Sequence, residues 1–164
     1  MQTVTIFIIT AIVIGIIVIA VRSNDAKMQK LVDEGKAAKR ERTFWMKQTL
    51  FSTSVSSIAE VYSAMDKSVL NEVDIHHNIE SDSYVLFTQK VSGGSFAATL
   101  RTVGQSDGKQ HYTYNIDQYH GPDGYMNLKC LRAANILLTA IEKAFLQLDK
   151  DISVSRRTAT LQTK

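Results

Sequence analysis

The side chains of this sequence that could carry chemistry are its four histidines, its one cysteine and its 16 carboxylates. His76 and His77 are adjacent in a segment that alternates like a strand, so their side chains point to opposite faces and cannot chelate one ion together. His111 and His120 flank a second strand-like segment that contains Asp117, but no spacing typical of zinc ligands is present. We therefore expect no metal site, and we interpret His77 as a buried histidine satisfied by one hydrogen bond.

The cysteine and the carboxylates show no catalytic arrangement. Cys130 lies in an apolar helical pattern, whereas a cysteine nucleophile needs an exposed, electropositive setting. It is therefore predicted to be a buried structural thiol. The carboxylates of the strand region occupy turns or polar positions, and no pair has the spacing of an acid–base couple: Asp74, Glu80, Asp82 and Asp117. The sequence thus predicts no catalytic residues, no cofactor and no enzymatic activity.

An apolar run without a charged side chain extends from Thr3 to Val21, and Arg22 is the first charged residue of the chain. A helix that crosses the hydrocarbon core needs roughly 20 apolar residues, so the run predicts a transmembrane anchor over residues 1–22. A cleaved signal peptide is the alternative, and the missing basic n-region favours an uncleaved signal anchor. The residues predicted to lie in the membrane anchor include Thr3, Ile6, Phe7, Ile12, Gly15, Ile17 and Val21.

The basic residues of the chain follow the apolar run, and none precedes it. By the positive-inside rule, this asymmetry predicts a single-pass protein of the cell inner membrane with its domain in the cytoplasm. The lone Cys130 agrees with a reducing compartment. Ala11 and Gly15 form a small-xxx-small pair, which makes a homo-oligomer possible without indicating one.

Residues 23–48 are predicted to form a basic helical stalk, because they are rich in Ala, Lys, Glu and Gln. One hypothesis places the cations and aromatic residues of the stalk on a lipid surface. The alternative is a solvated helix whose aromatic residues begin the domain core. The residues concerned are Lys36, Lys39, Arg40, Arg42, Phe44, Trp45 and Lys47.

Residues 49–149 are predicted to form an α+β domain made of a helix, a four-stranded antiparallel meander and a long C-terminal helix. Apolar residues at 3–4 spacing from Phe51 to Val69 predict the first helix. Four β-prone segments follow, and their short connections require antiparallel neighbours. The stripe from Leu131 to Leu148 predicts the last helix, and residues 150–164 are predicted to be a disordered basic tail.

The formal net charge of +3 is concentrated in the predicted stalk and tail, so it does not indicate a nucleic-acid partner. We expect a membrane-anchored interaction domain without catalytic activity, whose partners are the lipid bilayer and a membrane-associated protein. If both helices cover one sheet face, the other face remains for that protein, and the aromatic fourth strand contributes Tyr112, Tyr114 and Tyr119. The alternative is a tethered small-ligand-binding module with a pocket between the sheet and the C-terminal helix.

Overall fold

The computed structural model describes the backbone of residues 2–158 and the side chains of these residues except 2–11, 15, 17, 20, 21 and 123. The helices are α1 (Gln2–Asp33), α2 (Ile58–Ala64), α3 (Lys67–Asn71) and α4 (Leu128–Leu148). The strands are β1 (Lys47–Thr53), β2 (His76–Ser81), β3 (Tyr84–Val91), β4 (Gly94–Ser106), β5 (Lys109–His120) and β6 (Ser153–Thr158). Short 3-10 turns cover Phe44–Met46 and Pro122–Gly124.

The strands form one antiparallel sheet in the order β2-β3-β4-β5-β1-β6. The meander β2 to β5 occupies the four segments in which the sequence predicted strands. The prediction of a four-stranded sheet is nevertheless wrong, because β1 and β6 extend the sheet beyond β5 to six strands. The α+β class itself holds for the part of the chain that the structure describes.

Strand β1 stands where the sequence predicted the start of a helix at Phe51. Thr49, Phe51 and Thr53 are buried and alternate with more exposed residues, which is the period of a strand. A short apolar segment fits both a helical and a strand spacing. Pairing with β5 on one side and β6 on the other decides between them.

The remainder of the predicted first helix is divided into α2 and α3. The Ser57 side chain accepts the backbone N–H of Ala59, and the Asp66 side chain accepts the backbone N–H of Ser68. Each of these side chains caps the start of a helix. Because Asp66 caps a second start, the chain forms two short helices rather than one long one.

Strand β6 replaces part of the predicted disordered tail. Ser153–Thr158 pairs with β1 over six residues, with Val154 opposite Phe51. The composition of this segment is polar and its side chains are exposed, so the sequence contains no alternation of apolar and polar residues that would predict a strand here. The free backbone edge of β1 supplies the hydrogen bonds that order it. Residues 159–164 of the predicted tail lie outside the described residues.

Helix α4 covers one face of the sheet. It begins after Asn127, whose side chain accepts the backbone N–H of Cys130 at 2.8 Å and caps the helix. Its Phe145 stacks on Phe51 with ring centroids 4.5 Å apart and lies 5.2 Å from Tyr112. Helices α2 and α3 pack against the same core. All three helices therefore share one side of the sheet.

Among the residues that the structure describes, none of the helices combines the length and the apolar character that a membrane crossing requires. A crossing needs roughly 20 consecutive apolar residues. This finding contradicts the predicted single-pass transmembrane anchor and the assignment to the inner membrane. Ile12 is exposed, whereas the side chains of the other six anchor positions lie outside the described residues: Thr3, Ile6, Phe7, Gly15, Ile17 and Val21.

The predicted stalk is helical only as far as Asp33, where α1 ends. Gly35 follows with a φ of +69°, a left-handed conformation that favours glycine at the end of a helix. Residues 34–43, here called the strap, then run across α4 to Phe44 and β1. The strap places several of the predicted stalk residues against the domain.

Candidate functional site

The side of the sheet opposite α4, here called the open face, carries no helix among residues 2–158. Its side chains form two rows that cross neighbouring strands at matched register. The first row is Asn78, Leu86, Thr99 and Asn115, and the second is Tyr84, Arg101, Thr113, Leu50 and Ser155. Leu50 and Leu86 are half-buried. Thr99 and Thr113 are buried, so the open face mixes exposed and buried side chains, both polar and apolar.

A polar network lies near the centre of the open face. The Arg101 Nε donates to Thr99 Oγ1 at 3.0 Å, and that hydroxyl donates to Asp117 Oδ2 at 2.7 Å. The Arg101 guanidinium lies 3.6 Å from Asp117 and above the ring of Tyr84. Because the Arg101 side chain is 53% exposed, it remains accessible to a partner while its position is fixed.

The tyrosines predicted to bind a partner lie on the other side of the sheet. Tyr112 and Tyr114 share one side of β5, but that side faces α4 and both residues are buried. The Tyr112 hydroxyl donates to the Val55 carbonyl at 3.0 Å, and burial raises the pKa of Tyr112 to about 12. Tyr119 is half-buried, with its ring 4.5 Å from that of Trp45. The structure therefore assigns these three residues to the core rather than to a binding surface.

Arg40, one of the predicted stalk residues, links the strap to α4. Its NH1 donates to Glu142 Oε1 at 3.1 Å and its NH2 donates to Glu142 Oε2, while Nε donates to Asn135 Oδ1 at 3.0 Å. The buried Asn135 amide also accepts the backbone N–H of Ala38 and donates to the carbonyl of Ala38. Strand β6 joins the cluster, because Arg156 NH2 donates to Glu142 Oε1 at 2.7 Å.

A cavity of about 200 Å³ opens beside this ion pair, and we call it the basic cavity. Lys39, Arg40, Glu41, Phe44, Lys47 and Arg156 line it. Lys47 Nζ donates to Glu41 Oε2 at 2.8 Å, and this hydrogen bond lowers the pKa of Glu41. The cavity brings together four of the seven predicted stalk residues, which reach it from the strap, the 3-10 turn and β1.

The remaining stalk residues lie elsewhere on the domain. Lys36 Nζ donates to Glu72 at 2.6 Å, and this hydrogen bond raises the pKa of Lys36. Arg42 lies 4.0 Å from Asp25 of α1. Trp45, like Phe44, is buried in the core, which is the arrangement expected when stalk aromatic residues begin a domain core.

No family model, curated protein or solved structure that was compared with this chain matches it. What the domain does is therefore inferred from its own residues.

The histidines do not converge into a catalytic site. His77 Nδ1 lies 2.7 Å from the Tyr62 hydroxyl, and His111 Nε2 lies 2.7 Å from Ser106 Oγ. The strand register across β3 and β4 places His77 opposite Ile116 of β5. Three strand spacings separate these two residues, so their backbones lie about 14 Å apart. Asp117, next to Ile116, is engaged on the open face. His77 has the single hydrogen-bond partner that was expected from the sequence, but its side chain is half-buried rather than buried.

The space between the sheet and α4 is filled by side chains. The largest of these are at most 1% exposed and include Phe51, Phe87, Tyr112, Leu137, Ile141 and Phe145. Cys130 is also fully buried, which raises the pKa of its thiol and makes it a poor nucleophile. Such packing gives no support to the alternative of a ligand pocket in the middle of the core.

Proposed function

We propose that the domain is a non-catalytic binding module that engages a protein partner through its open face. The observation that supports this proposal is the uneven coverage of the sheet, because α2, α3 and α4 share one face and, among residues 2–158, no helix covers the other. A sheet face of this kind is available for docking another protein.

The size of the open face favours a transient complex. Six strands spaced about 4.8 Å apart span about 24 Å, and six residues along a strand span about 20 Å. The resulting footprint is on the order of 500 Å², whereas a standard interface buries about 800 Å² on each partner. We therefore expect modest affinity and rapid exchange rather than a permanent assembly.

The side chains of the open face have the composition of a protein interface. Leu50 and Leu86 supply apolar contact area, and Arg101 with Tyr84 supplies a stacked pair of the residue types that dominate binding energy in many complexes. The positive charge of Arg101 is balanced by Asp117, so the centre of the face has no excess of cations. That balance favours a protein partner over a nucleic acid.

The absence of catalysis is part of the same proposal. His77, His111 and Asp117 are each engaged by a different partner, Tyr62, Ser106 and Thr99 respectively. A general base must lie within hydrogen-bond reach of the group that it activates. The separation of these groups therefore supports a binding role.

The test is quantitative capture of partners by wild-type protein and by charge-insertion variants. Leu86→Arg or Leu50→Arg places a cation on the open face, and we expect at least about tenfold weaker capture of a specific partner. Leu146→Arg is the matched control, because Leu146 is 51% exposed on α4, which covers the other side of the sheet. Equal capture by all three variants would show that the open face is not the binding surface.

A further inference from the structure

We propose that the basic cavity binds a small phosphate-class dianion, such as inorganic phosphate or a small phosphomonoester. The cavity is bounded by the strap, the 3-10 turn, β1 and β6, whereas the proposed protein-binding surface is on the opposite side of the sheet. The two proposals can therefore succeed or fail independently.

The charges around the cavity favour an anion. Four cations line it, and they are Lys39, Arg40, Lys47 and Arg156. Glu41 neutralises Lys47 at 2.8 Å, while the single charge of Glu142 is shared by Arg40 and Arg156. Within residues 2–158, Lys39 forms no ion pair. Four cations and two carboxylates leave an excess of two positive charges, which matches a phosphate dianion.

The guanidinium groups are fixed before any ligand arrives. The Arg40 side chain is 5% exposed and is held by Asn135, Thr139 and Glu142. The Arg156 side chain is held by Glu142 but is 42% exposed, so its remaining donors are accessible. A guanidinium donates to phosphate oxygens in a planar fork, and a group that is already ordered loses little conformational entropy on binding.

Further polar atoms lie in the row of residues that leads to Arg156. Tyr114, Thr49 and Arg156 are direct neighbours on β5, β1 and β6 and share the side of the sheet that faces α4. The Tyr114 hydroxyl and Thr49 Oγ1 are buried, and neither has a hydrogen-bond partner within the described part of the chain. Buried polar atoms are normally paired, so this row has unused hydrogen-bonding capacity in the strands beside Arg156, although neither Thr49 nor Tyr114 lines the cavity itself.

The dimensions and walls of the cavity limit the ligand. Its volume of about 200 Å³ is below the usual range for drug-sized ligands, which begins at about 300 Å³. The Phe44 ring provides an apolar wall and also lies under the Arg40 guanidinium at 5.8 Å. A phosphate group with a small apolar substituent would use both the cations and the ring.

The experiment titrates the 164-residue chain with inorganic phosphate and, in a second arm, with phenyl phosphate, by calorimetry at low ionic strength. We expect saturable binding with one site. Tighter binding of phenyl phosphate would assign the site to a phosphomonoester, and equal binding would assign it to phosphate itself. Absence of saturable binding in both arms would overturn the proposal.

Variants locate the site. Arg156→Gln and Lys39→Gln each remove one cation from the cavity, and each should weaken binding about tenfold. Arg157→Gln is the matched control, because Arg157 is the next residue of β6 and faces the opposite side of the sheet. Thermal unfolding of each variant checks that the fold is retained. If Arg157→Gln weakens binding as much as the other two, binding is non-specific and the proposal is wrong.

Discussion

Arg40 on the strap and Glu142 on α4 form a two-pronged ion pair, although they are 102 residues apart in the sequence. Their side chains are 5% and 18% exposed, so water screens the pair poorly. The pair ties the segment that precedes β1 to the C-terminal helix, and Arg156 connects the same carboxylate to the edge strand β6. The strap, α4 and β6 are therefore held together by one carboxylate.

The first prediction concerns this carboxylate. Glu142→Gln removes the charge that two guanidinium groups share, and the buried Arg40 is left without its counter-charge. Breaking a buried pair in this way should lower the free energy of unfolding by about 3 kcal/mol, measured by urea denaturation. Glu80→Gln is the control at an exposed carboxylate of β2, and its effect should stay within about 0.5 kcal/mol. Equal effects of the two substitutions would contradict the structural role of the pair.

The second prediction concerns Asp149 at the end of α4. Its carboxylate accepts hydrogen bonds from Thr53 Oγ1 at 2.6 Å and from the Ser54 N–H at 2.7 Å, which lower the pKa of Asp149 to about 2. Since this pKa lies below the ordinary value of 3.8, the carboxylate stabilises the fold above about pH 4, and this contribution is lost as the pH falls toward 2.

The corresponding measurement compares thermal unfolding of wild type and Asp149→Asn between pH 6 and pH 2. The variant should have the lower Tm at pH 6, and the difference should shrink as the pH falls through the range between 3.8 and about 2. A difference in Tm that is constant over the whole range would show that the charge of Asp149 does not contribute.

The third prediction concerns the pair of Tyr62 and His77 between α2 and β2. Burial, followed by the positive charge of Lys67, lowers the pKa of His77 below its ordinary value of 6.5. The folded state thus favours the neutral ring, so the stability that this group contributes is present above the unfolded-state pKa of 6.5 and is lost as the pH falls from there through the lower folded-state pKa. The Lys67 ammonium lies 4.5 Å from the centre of the Tyr62 ring, which places it beside the pair.

Titration of the His77 ring by NMR tests this assignment. Lys67→Met removes the nearby positive charge and should raise the pKa of His77, because a like charge disfavours protonation. Lys129→Met, at an exposed position on α4, should leave the pKa of His77 unchanged. If Lys67→Met also leaves it unchanged, burial alone would account for the shift.

Patterns local in sequence predicted a large part of this fold. The alternation of apolar and polar residues located β2 to β5, and the apolar stripe from Leu131 to Leu148 located α4. These elements bury a regular row of side chains, so their period is visible in the sequence. The segment around Phe51 was misassigned because its spacing fits both a helix and a strand, and β6 was missed because it buries no row of side chains at all.

The sequence by itself determined the α+β class, the meander and the C-terminal helix, because each rests on residue types and on spacings of a few positions. The tertiary structure decided that β1 and β6 complete the sheet, that Tyr112 and Tyr114 face the core, and that Arg40 meets Glu142 beside a basic cavity. Those features depend on strand pairing and charge pairing between residues up to about one hundred positions apart. The spacing of apolar residues within one segment cannot predict contacts over such a distance in the sequence.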